Sequence, residues 1–225
     1  MDTYKFQHKK TDWELKMKNK SDQEIEVKFY IIDLSLIEQK LIDMGADLVQ
    51  ERIFESNLRF DRPDKSLQKQ RQVLRLRRDT QNILTFKGAA EEGSLVSIRQ
   101  EIEVVVDDFE TTRLLLELLG YRVVMEYEKY RTTYSYQNCL VVLDELPYGT
   151  FIEIEGPDGK TIQKVAQELN LQWDTRVTTS YVYLFDNIKE HYPEFEGKNL
   201  SFSAFSGKRI MPDELKVHPA DVRHK

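Results

Sequence analysis

A short alternating run, EIEVK at residues 24–28, constrains the fold of this chain more than any other stretch. Side chains of an extended strand point alternately to its two faces. The two glutamates and the lysine therefore share one face, and the isoleucine and valine occupy the other. The tripeptide Glu-Ile-Glu returns at 101–103 and at 153–155. A charged strand face is usually solvated, but its repeated use raises the alternative that these faces point inward together.

Each copy of the tripeptide is followed by an amphipathic pattern typical of a helix, namely LSLIEQKLIDMG, FETTRLLLELLG and KTIQKVAQELNL. Gly45 and Gly120 supply C-terminal stops for the first two, and Asp107 or Asp108 can cap the second. The third helix is predicted to end near Leu171. A fourth helix, rich in aromatic residues, is predicted over 180–195. The copies have no fixed period, so this is not a solenoid repeat.

The remaining pattern predicts long strands joined mostly by hairpins. The predicted strands cover 24–33, 48–61, 73–80, 82–88, 95–106, 121–136, 138–146 and 150–156. Long antiparallel strands with few helices favour closure, because a closed sheet has no unpaired edge. The predicted fold is α+β: an eight-stranded antiparallel closed β-barrel, a tunnel with a charged lumen, covered outside by helices.

The chain's 225 residues fit one domain of ordinary size. Residues 1–22 are polar and poorly periodic, which predicts a flexible N-terminal extension. Residues 23–195 form the predicted tunnel domain. Residues 196–225, with Gly, Pro and mixed charge, are predicted to be a tail that is mobile or wraps the surface.

Composition excludes several classes of protein. With 33 Lys and Arg against 39 Asp and Glu, the net charge of −6 argues against a binder of nucleic acid polymers. No apolar run approaches the roughly 18 residues that span a bilayer, and no signal peptide is evident, so we expect a cytoplasmic protein without a membrane partner. Cys139 alone offers no disulfide, and the four histidines lie away from the charged strands. The oligomeric state stays open, with a homodimer as one option.

If the helices cover the outside of the barrel, the charged faces of the strands converge on one lumen. The acids on these faces are Glu24, Glu26, Glu101, Glu103, Asp144, Glu153 and Glu155, and the bases are Lys28, Arg75, Arg77, Lys87, Arg99, Lys129 and Arg131. So many charges in one cavity are costly unless they pair well or bind something. Arg and Lys hold phosphate oxygens, and carboxylates suit Mg²⁺ or Mn²⁺. The set therefore indicates a polyphosphate bound with divalent metal ions.

The order of these motifs resembles a known family. An ExExK strand is followed by LRLRR, TFKG, RQEIE, EKYR, LDEL and FIEIEG. This series, over about residues 23–185, is similar to the CYTH superfamily, the triphosphate tunnel metalloenzymes, which includes class IV adenylyl cyclases and thiamine triphosphatases. The resemblance implies a tunnel open at both ends and a cofactor of Mg²⁺ or Mn²⁺.

The resemblance also implies a role for each charged residue. Glu24, Glu26 and Lys28 would be catalytic, with Lys28 on the phosphates or orienting the nucleophile. The triphosphate would be held by Arg75, Arg77, Lys87, Lys129, Arg131 and Arg99, of which Arg99 has a salt-bridge role as its alternative. The metal ligands would be Glu24, Glu26, Asp144, Glu153, Glu155, Glu101 and Glu103, the last two as direct or outer ligands on the tunnel wall.

Three functions follow from this resemblance. The first is a metal-dependent triphosphatase acting on inorganic triphosphate, thiamine triphosphate or a nucleoside triphosphate. The second is an adenylyl cyclase that converts ATP into cyclic AMP and pyrophosphate. The third is a non-catalytic polyphosphate-binding module, which the retained pair Glu24 and Glu26 disfavours.

Overall fold

The structure is a computed structural model that describes residues 23–195 and 199–222. The strands are β1 (Gln23–Ile31), β2 (Asp47–Asp61), β3 (Val73–Arg78), β4 (Asn82–Lys87), β5 (Ser97–Val106), β6 (Arg122–Tyr136), β7 (Cys139–Leu146) and β8 (Gly149–Glu155). The helices are α1 (Leu34–Asp43), α2 (Ser66–Lys69), α3 (Phe109–Leu118), α4 (Gly159–Glu168) and α5 (Tyr181–His191). Three 3₁₀ turns follow at Trp173–Thr175, Pro193–Phe195 and Pro212–Leu215.

The eight strands close into a barrel in the order β1-β5-β4-β3-β2-β6-β7-β8. Every neighbouring pair is antiparallel, and β1 closes the ring by pairing with both β5 and β8. The predicted fold class is therefore confirmed. The longest pairing joins β2 to β6, where register shifts interrupt the ladder.

The outer wall of the barrel is apolar where the helices cover it. Val27, Phe29 and Ile31 on β1 pack in one core cluster with Ile37 of α1 and Ile162 of α4. Since neighbours along a strand point to opposite faces, this packing turns the charged residues of β1 toward the lumen. The charged faces thus point inward, and the alternative of a solvated face is wrong for β1.

Helix ends are set by local signals in the sequence. The side chains of Asp33, Asp108 and Asp158 accept hydrogen bonds from the first turns of α1, α3 and α4, which satisfies amide groups that the helix itself leaves unpaired. Asp108, not Asp107, caps α3. Among the described residues, no helix combines the length and apolar character needed to cross a membrane.

The second apolar cluster joins α5 and the residues after it to the barrel. Phe185 and Phe195 pack there with Phe205 and Leu215. Leu200 exchanges backbone hydrogen bonds with β6, donating to the Glu126 carbonyl at 3.0 Å and accepting from the Glu128 amide at 2.9 Å. Residues 199–222 therefore lie against the barrel and add to its core. The predicted flexible extension, 1–22, lies outside the described residues, as do 196–198 and 223–225.

Most predicted boundaries differ from the observed ones by one to three residues. The main difference is in the polar loop after β2, which contains the short helix α2 (Ser66–Lys69). Asp61 explains this helix, because its carboxylate accepts backbone hydrogen bonds from Leu67 at 3.0 Å and Gln68 at 2.9 Å.

Candidate active site

The barrel encloses a cavity of about 290 Å³. Thirteen of the predicted site residues line it: Glu24, Glu26, Lys28, Arg75, Arg77, Lys87, Arg99, Glu101, Glu103, Lys129, Arg131, Glu153 and Glu155. The remaining one, Asp144, is fully buried and reaches the same site through contacts with Lys129 and Arg131. The structure thus brings all of these side chains together, and their individual roles stay predictions.

One part of the lumen, which we call the cation cluster, is built from Arg131, Lys129, Asp144, Glu153 and Glu55. Arg131 donates two hydrogen bonds to Asp144, at 2.7 and 2.6 Å, and one to Glu153 at 2.6 Å. Lys129 donates to Asp144 at 3.1 Å and lies 3.5 Å from Glu55. Such charge-assisted, bidentate contacts fix both position and direction of the guanidinium.

Electrostatics in the cation cluster favours the ionised forms of Glu55 and Glu153. Burial alone would raise the pKa of Glu55, but the charges of Lys129 and Arg131 lower it to about 2. Burial likewise opposes ionisation of Glu153, yet Lys28 and Arg131 hold its pKa well below the usual range. The neighbouring Lys and Arg side chains therefore keep Glu55 and Glu153 ionised.

A second part, the carboxylate cluster, consists of Glu24, Glu26, Glu101 and Glu155, with Lys87 among them. The Lys87 ammonium donates to both oxygens of Glu24, at 2.8 and 2.7 Å, and lies 3.3 Å from Glu101. Burial, together with the charges of Glu24 and Glu101, raises the pKa of Glu155 to about 8. One lysine cannot neutralise this group of acids.

Lys28 connects the two clusters along β1. Its ammonium lies 3.0 Å from Glu153 of the cation cluster and 3.4 Å from Glu26 of the carboxylate cluster. Burial disfavours its charge, but Glu153 and Glu26 raise its pKa, so Lys28 stays protonated.

The lumen wall between β3, β4 and β5 carries Arg75 and Arg99. The Arg75 guanidinium lies 3.4 Å from the Thr85 hydroxyl and 3.6 Å from Glu103. Arg99 donates hydrogen bonds to the Ser97 hydroxyl at 3.1 and 3.3 Å. This partner is neutral, so the observed contact gives no support to the salt-bridge alternative.

Several lumen residues are not among those predicted from the sequence. Glu55, Asn57 and Arg59 alternate along β2 with the same period as EIEVK, and Tyr127 precedes Lys129 by two residues. Their inward direction follows from pairing, since Asn57 lies opposite both Arg77 and Tyr127. The period-two signal in ESNLR could have found them. Its mixture of acid, amide and base resembled an ordinary exposed strand.

Asn57 and Arg75 carry buried polar atoms that have no hydrogen-bond partner among the described residues. Asn57 is fully buried, and neither its amide oxygen nor its amide nitrogen has a hydrogen-bond partner among the described groups. The Nε atom of Arg75 is also buried and unpartnered there. Buried polar groups in native proteins are almost always satisfied, so these atoms are local exceptions on β2 and β3.

The carboxylate cluster has the donor chemistry of a divalent-cation site. Carboxylate oxygens are hard ligands suited to Mg²⁺ or Mn²⁺, and a cation would favour the ionised form of Glu155, whose pKa is raised by burial and by the charges of Glu24 and Glu101. Within 23–195 and 199–222, no three such side chains are already arranged around a metal position. Lys87 occupies the oxygens of Glu24, so metal binding requires these side chains to rearrange.

One end of the lumen is filled by aromatic rings. Beyond Lys28, the inward face of β1 continues with Tyr30, whose ring meets Phe151 edge-on at 5.2 Å. Tyr181 of α5 contacts Phe151 at 5.0 Å, and a Cβ at Gly149 would come within 2.7 Å of the Tyr30 ring. Helix α5 and the residues after it therefore pack at this end of the barrel, and the implied opening at both ends stays a prediction.

The sequence and the fold were compared with those of known proteins. The profile of the CYTH domain matches residues 22–181. The chain belongs to the CYTH family. A Methanocaldococcus jannaschii protein provisionally named adenylate cyclase is 27% identical over 172 residues, which cover 72% of this chain and 97% of that protein.

Solved structures show the same fold. A Pyrococcus horikoshii protein is 27% identical with a TM-score of 0.60, covering 72% of this CYTH chain and 97% of its own. A Hippeastrum protein, provisionally named adenylyl cyclase and described as having a dominant triphosphatase activity, matches with a TM-score of 0.56. It covers 87% of this chain and 100% of its own at 17% identity, which supports likeness of fold alone.

Proposed function

We propose that this CYTH protein is a metal-dependent triphosphatase that binds its substrate inside the barrel. The proposal is supported mainly by the convergence of Arg75, Arg77, Lys129 and Arg131 on one cavity within the barrel. A triphosphate supplies several anionic oxygens, and Arg and Lys bind such oxygens by charge-assisted hydrogen bonds.

In this proposal the cation side chains bind and orient the phosphates. Arg131 and Lys129 are held by Asp144, so they present fixed donors that need no rearrangement when substrate enters. Arg75, Arg77, Lys87 and Arg99 add further contacts along the chain of phosphates. Asp144 has its oxygens occupied by these donors, and Glu153 is engaged by Arg131 and Lys28. We therefore assign both to positioning cations rather than to metal ligation.

The carboxylate cluster would hold the metal. Glu24, Glu26, Glu101 and Glu155 supply the oxygen ligands, with Glu103 beside them on β5. When bound, Mg²⁺ or Mn²⁺ neutralises charge on the phosphate oxygens and activates water. Lys28, protonated between Glu26 and Glu153, orients the terminal phosphate. In hydrolysis of inorganic triphosphate, the water oxygen bonds to the terminal phosphorus, the bridging P–O bond breaks, the proton of the water passes to solvent, and phosphate and diphosphate are released.

Adenylyl cyclase activity is the second candidate, favoured by the name of the Methanocaldococcus jannaschii relative. It needs a pocket for adenine next to the phosphates. The cavity of about 290 Å³ lies just below the range of roughly 300–1,000 Å³ for sites of drug-sized ligands. Its aromatic lining residues are Tyr127 and Tyr181, and the Tyr181 hydroxyl is already bound to Asp144. These features favour a compact triphosphate.

One assay separates these functions. Purified protein is incubated with Mg²⁺ or Mn²⁺ and with inorganic triphosphate, thiamine triphosphate or ATP, and the products are resolved. We expect phosphate release, fastest from inorganic triphosphate. Formation of cyclic AMP and pyrophosphate from ATP would show that the protein is an adenylyl cyclase and not a triphosphatase. Tight binding of every substrate without turnover would reduce the protein to a polyphosphate-binding module.

A further inference from the structure

Tyr181 joins the cation cluster from outside the barrel strands. It is the first residue of α5, whose N-terminus is capped by the Ser180 side chain, and only 9% of its surface is exposed. Its hydroxyl donates to Asp144 at 2.9 Å. The centroid of its ring lies 5.0 Å from the Lys28 ammonium and 5.7 Å from that of Lys129. One side chain thus contacts an acid and two bases of the lumen.

The hydroxyl completes the hydrogen bonding of a single carboxylate oxygen. Asp144 Oδ2 accepts from Tyr181 at 2.9 Å, from Arg131 at 2.6 Å and from Lys129 at 3.1 Å. Burial, together with the charges of Asp144 and Glu153, raises the pKa of Tyr181, so the hydroxyl keeps its proton and donates. Three converging donors hold the carboxylate in one orientation, and that orientation fixes the directions of Arg131 and Lys129.

Tyr181 is itself held by groups outside the ionic lumen. The Tyr148 hydroxyl donates to the Tyr181 carbonyl at 2.8 Å, and the Phe151 ring contacts the Tyr181 ring at 5.0 Å. Further along α5, the Asn187 amide donates to the Leu215 carbonyl at 3.1 Å. The C-terminal residues therefore anchor α5, and α5 anchors the hydroxyl.

We propose that Tyr181 is a positioning residue of the triphosphate site, acting through Asp144 to align Lys129 and Arg131 and through its ring to place Lys28. This inference rests on the proposed function, and it adds a residue from the covering helix to the set on the strands. Long Lys and Arg side chains lose rotamer freedom when they bind a ligand, and this loss of entropy weakens binding. Alignment before binding lowers that cost.

The test is Tyr181→Phe, which keeps the ring and removes the hydroxyl. Because hydrogen bonds to charged groups matter more than neutral ones and Asp144 keeps its two cationic partners, we expect KM for inorganic triphosphate to rise roughly fivefold. The value of kcat should change less than twofold. The matched control is Tyr192→Phe, which removes a 2.8 Å hydroxyl bond from the end of α5 to Glu214 without touching the lumen. It should leave both constants unchanged.

A double-mutant cycle shows whether the hydroxyl acts through Asp144. If it does, adding Tyr181→Phe to Asp144→Asn should raise KM by less than twofold, since interacting residues are not additive. A full, additive fivefold increase would overturn the proposal, as would an unchanged KM in Tyr181→Phe alone. An equal loss in Tyr192→Phe would reduce Tyr181 to a structural role.

Failure of the proposed function is distinguishable from failure of this inference. Binding of inorganic triphosphate to each variant is measured by calorimetry, alongside the kinetics. If wild-type protein neither binds nor hydrolyses triphosphate, both proposals fall. If wild-type protein binds it and Tyr181→Phe binds it equally well, the positioning role alone is refuted.

Discussion

The cation cluster and the carboxylate cluster lie in one lumen but shift the pKa values of their buried acids in opposite directions. In the cation cluster, bases surround each acid, and the pKa of Glu55 falls to about 2. In the carboxylate cluster, acids face one another across Lys87, and the pKa of Glu155 rises to about 8. The acids of the first cluster are paired with bases, and those of the second lack cations. Under the proposed function, Lys and Arg side chains facing the lumen bind the phosphates, and the acids of the second cluster bind the metal ions.

The largest expected effect comes from removing the acid at the centre of the cation cluster. Asp144→Ala leaves Arg131 and Lys129 buried without their main partner, and breaking a buried ion pair costs about 3–5 kcal/mol of unfolding free energy. Urea unfolding measures this loss. The control is Glu145→Ala on the same strand, which breaks a pair with Arg52 that is partly exposed and should cost under about 1 kcal/mol. Equal losses would show that Asp144 is not buried among cations.

Glu55→Gln tests the same cluster through pH. The folded pKa of Glu55, about 2, lies below its usual 4.5, so its ionised form stabilises the folded state above pH 4.5. That contribution is lost as pH falls from about 4.5 to about 2. We expect Glu55→Gln to reduce the unfolding free energy by on the order of 3 kcal/mol at pH 7. The difference from wild type should disappear near pH 2. A difference independent of pH would contradict the account.

Glu26→Ala tests the carboxylate cluster through activity. Loss of a carboxylate ligand should lower metal-dependent turnover by about 100-fold, while circular dichroism and the melting temperature show that the fold is retained. The matched control, Glu51→Ala, alters an exposed glutamate of β2 and should be silent. Unchanged turnover in Glu26→Ala would remove this glutamate from the site.

A fourth effect concerns Glu155 in metal-free protein. Its folded pKa of about 8 lies above its usual 4.5, so the folded state holds a proton that the unfolded chain releases. Stability should fall as pH rises from 4.5 to 8, by at most about 1.4 kcal/mol per pH unit. Glu155→Gln should flatten this slope in chelator, and Mg²⁺ should flatten it in wild type. An identical slope in wild type and variant would show that Glu155 is not crowded by acids.

Period-two alternation predicted the strands of the barrel, because it determines which face of a strand each side chain occupies. Glu24, Arg75 and Lys129 could be placed in the lumen from this pattern, once the inward direction was assumed. Asn57 and Glu55 have the same period, yet their neighbours looked like those of an exposed strand. The pairing of β2 with β6 identifies them, and pairing is a long-range property that local pattern does not encode.

The contacts that α5 makes with the lumen could not be predicted from strand patterns. Tyr181 lies on a helix whose apolar and aromatic spacing predicts only a covering role, and its contact with Asp144 spans 37 residues of sequence. Residues 199–222 carry little periodicity, and their packing depends on single anchors such as Phe205 and Leu215. Such contacts follow from tertiary packing and not from local propensity.

The most direct test of an ionic lumen that binds triphosphate is a crystal structure of the protein with inorganic triphosphate and Mn²⁺, using anomalous scattering to locate the metal. We expect phosphate density inside the barrel, within hydrogen-bonding distance of Arg75, Lys129 and Arg131. The manganese signal should lie beside Glu24 and Glu26. Triphosphate and metal bound only on the outer surface, with the lumen side chains unchanged, would contradict the account.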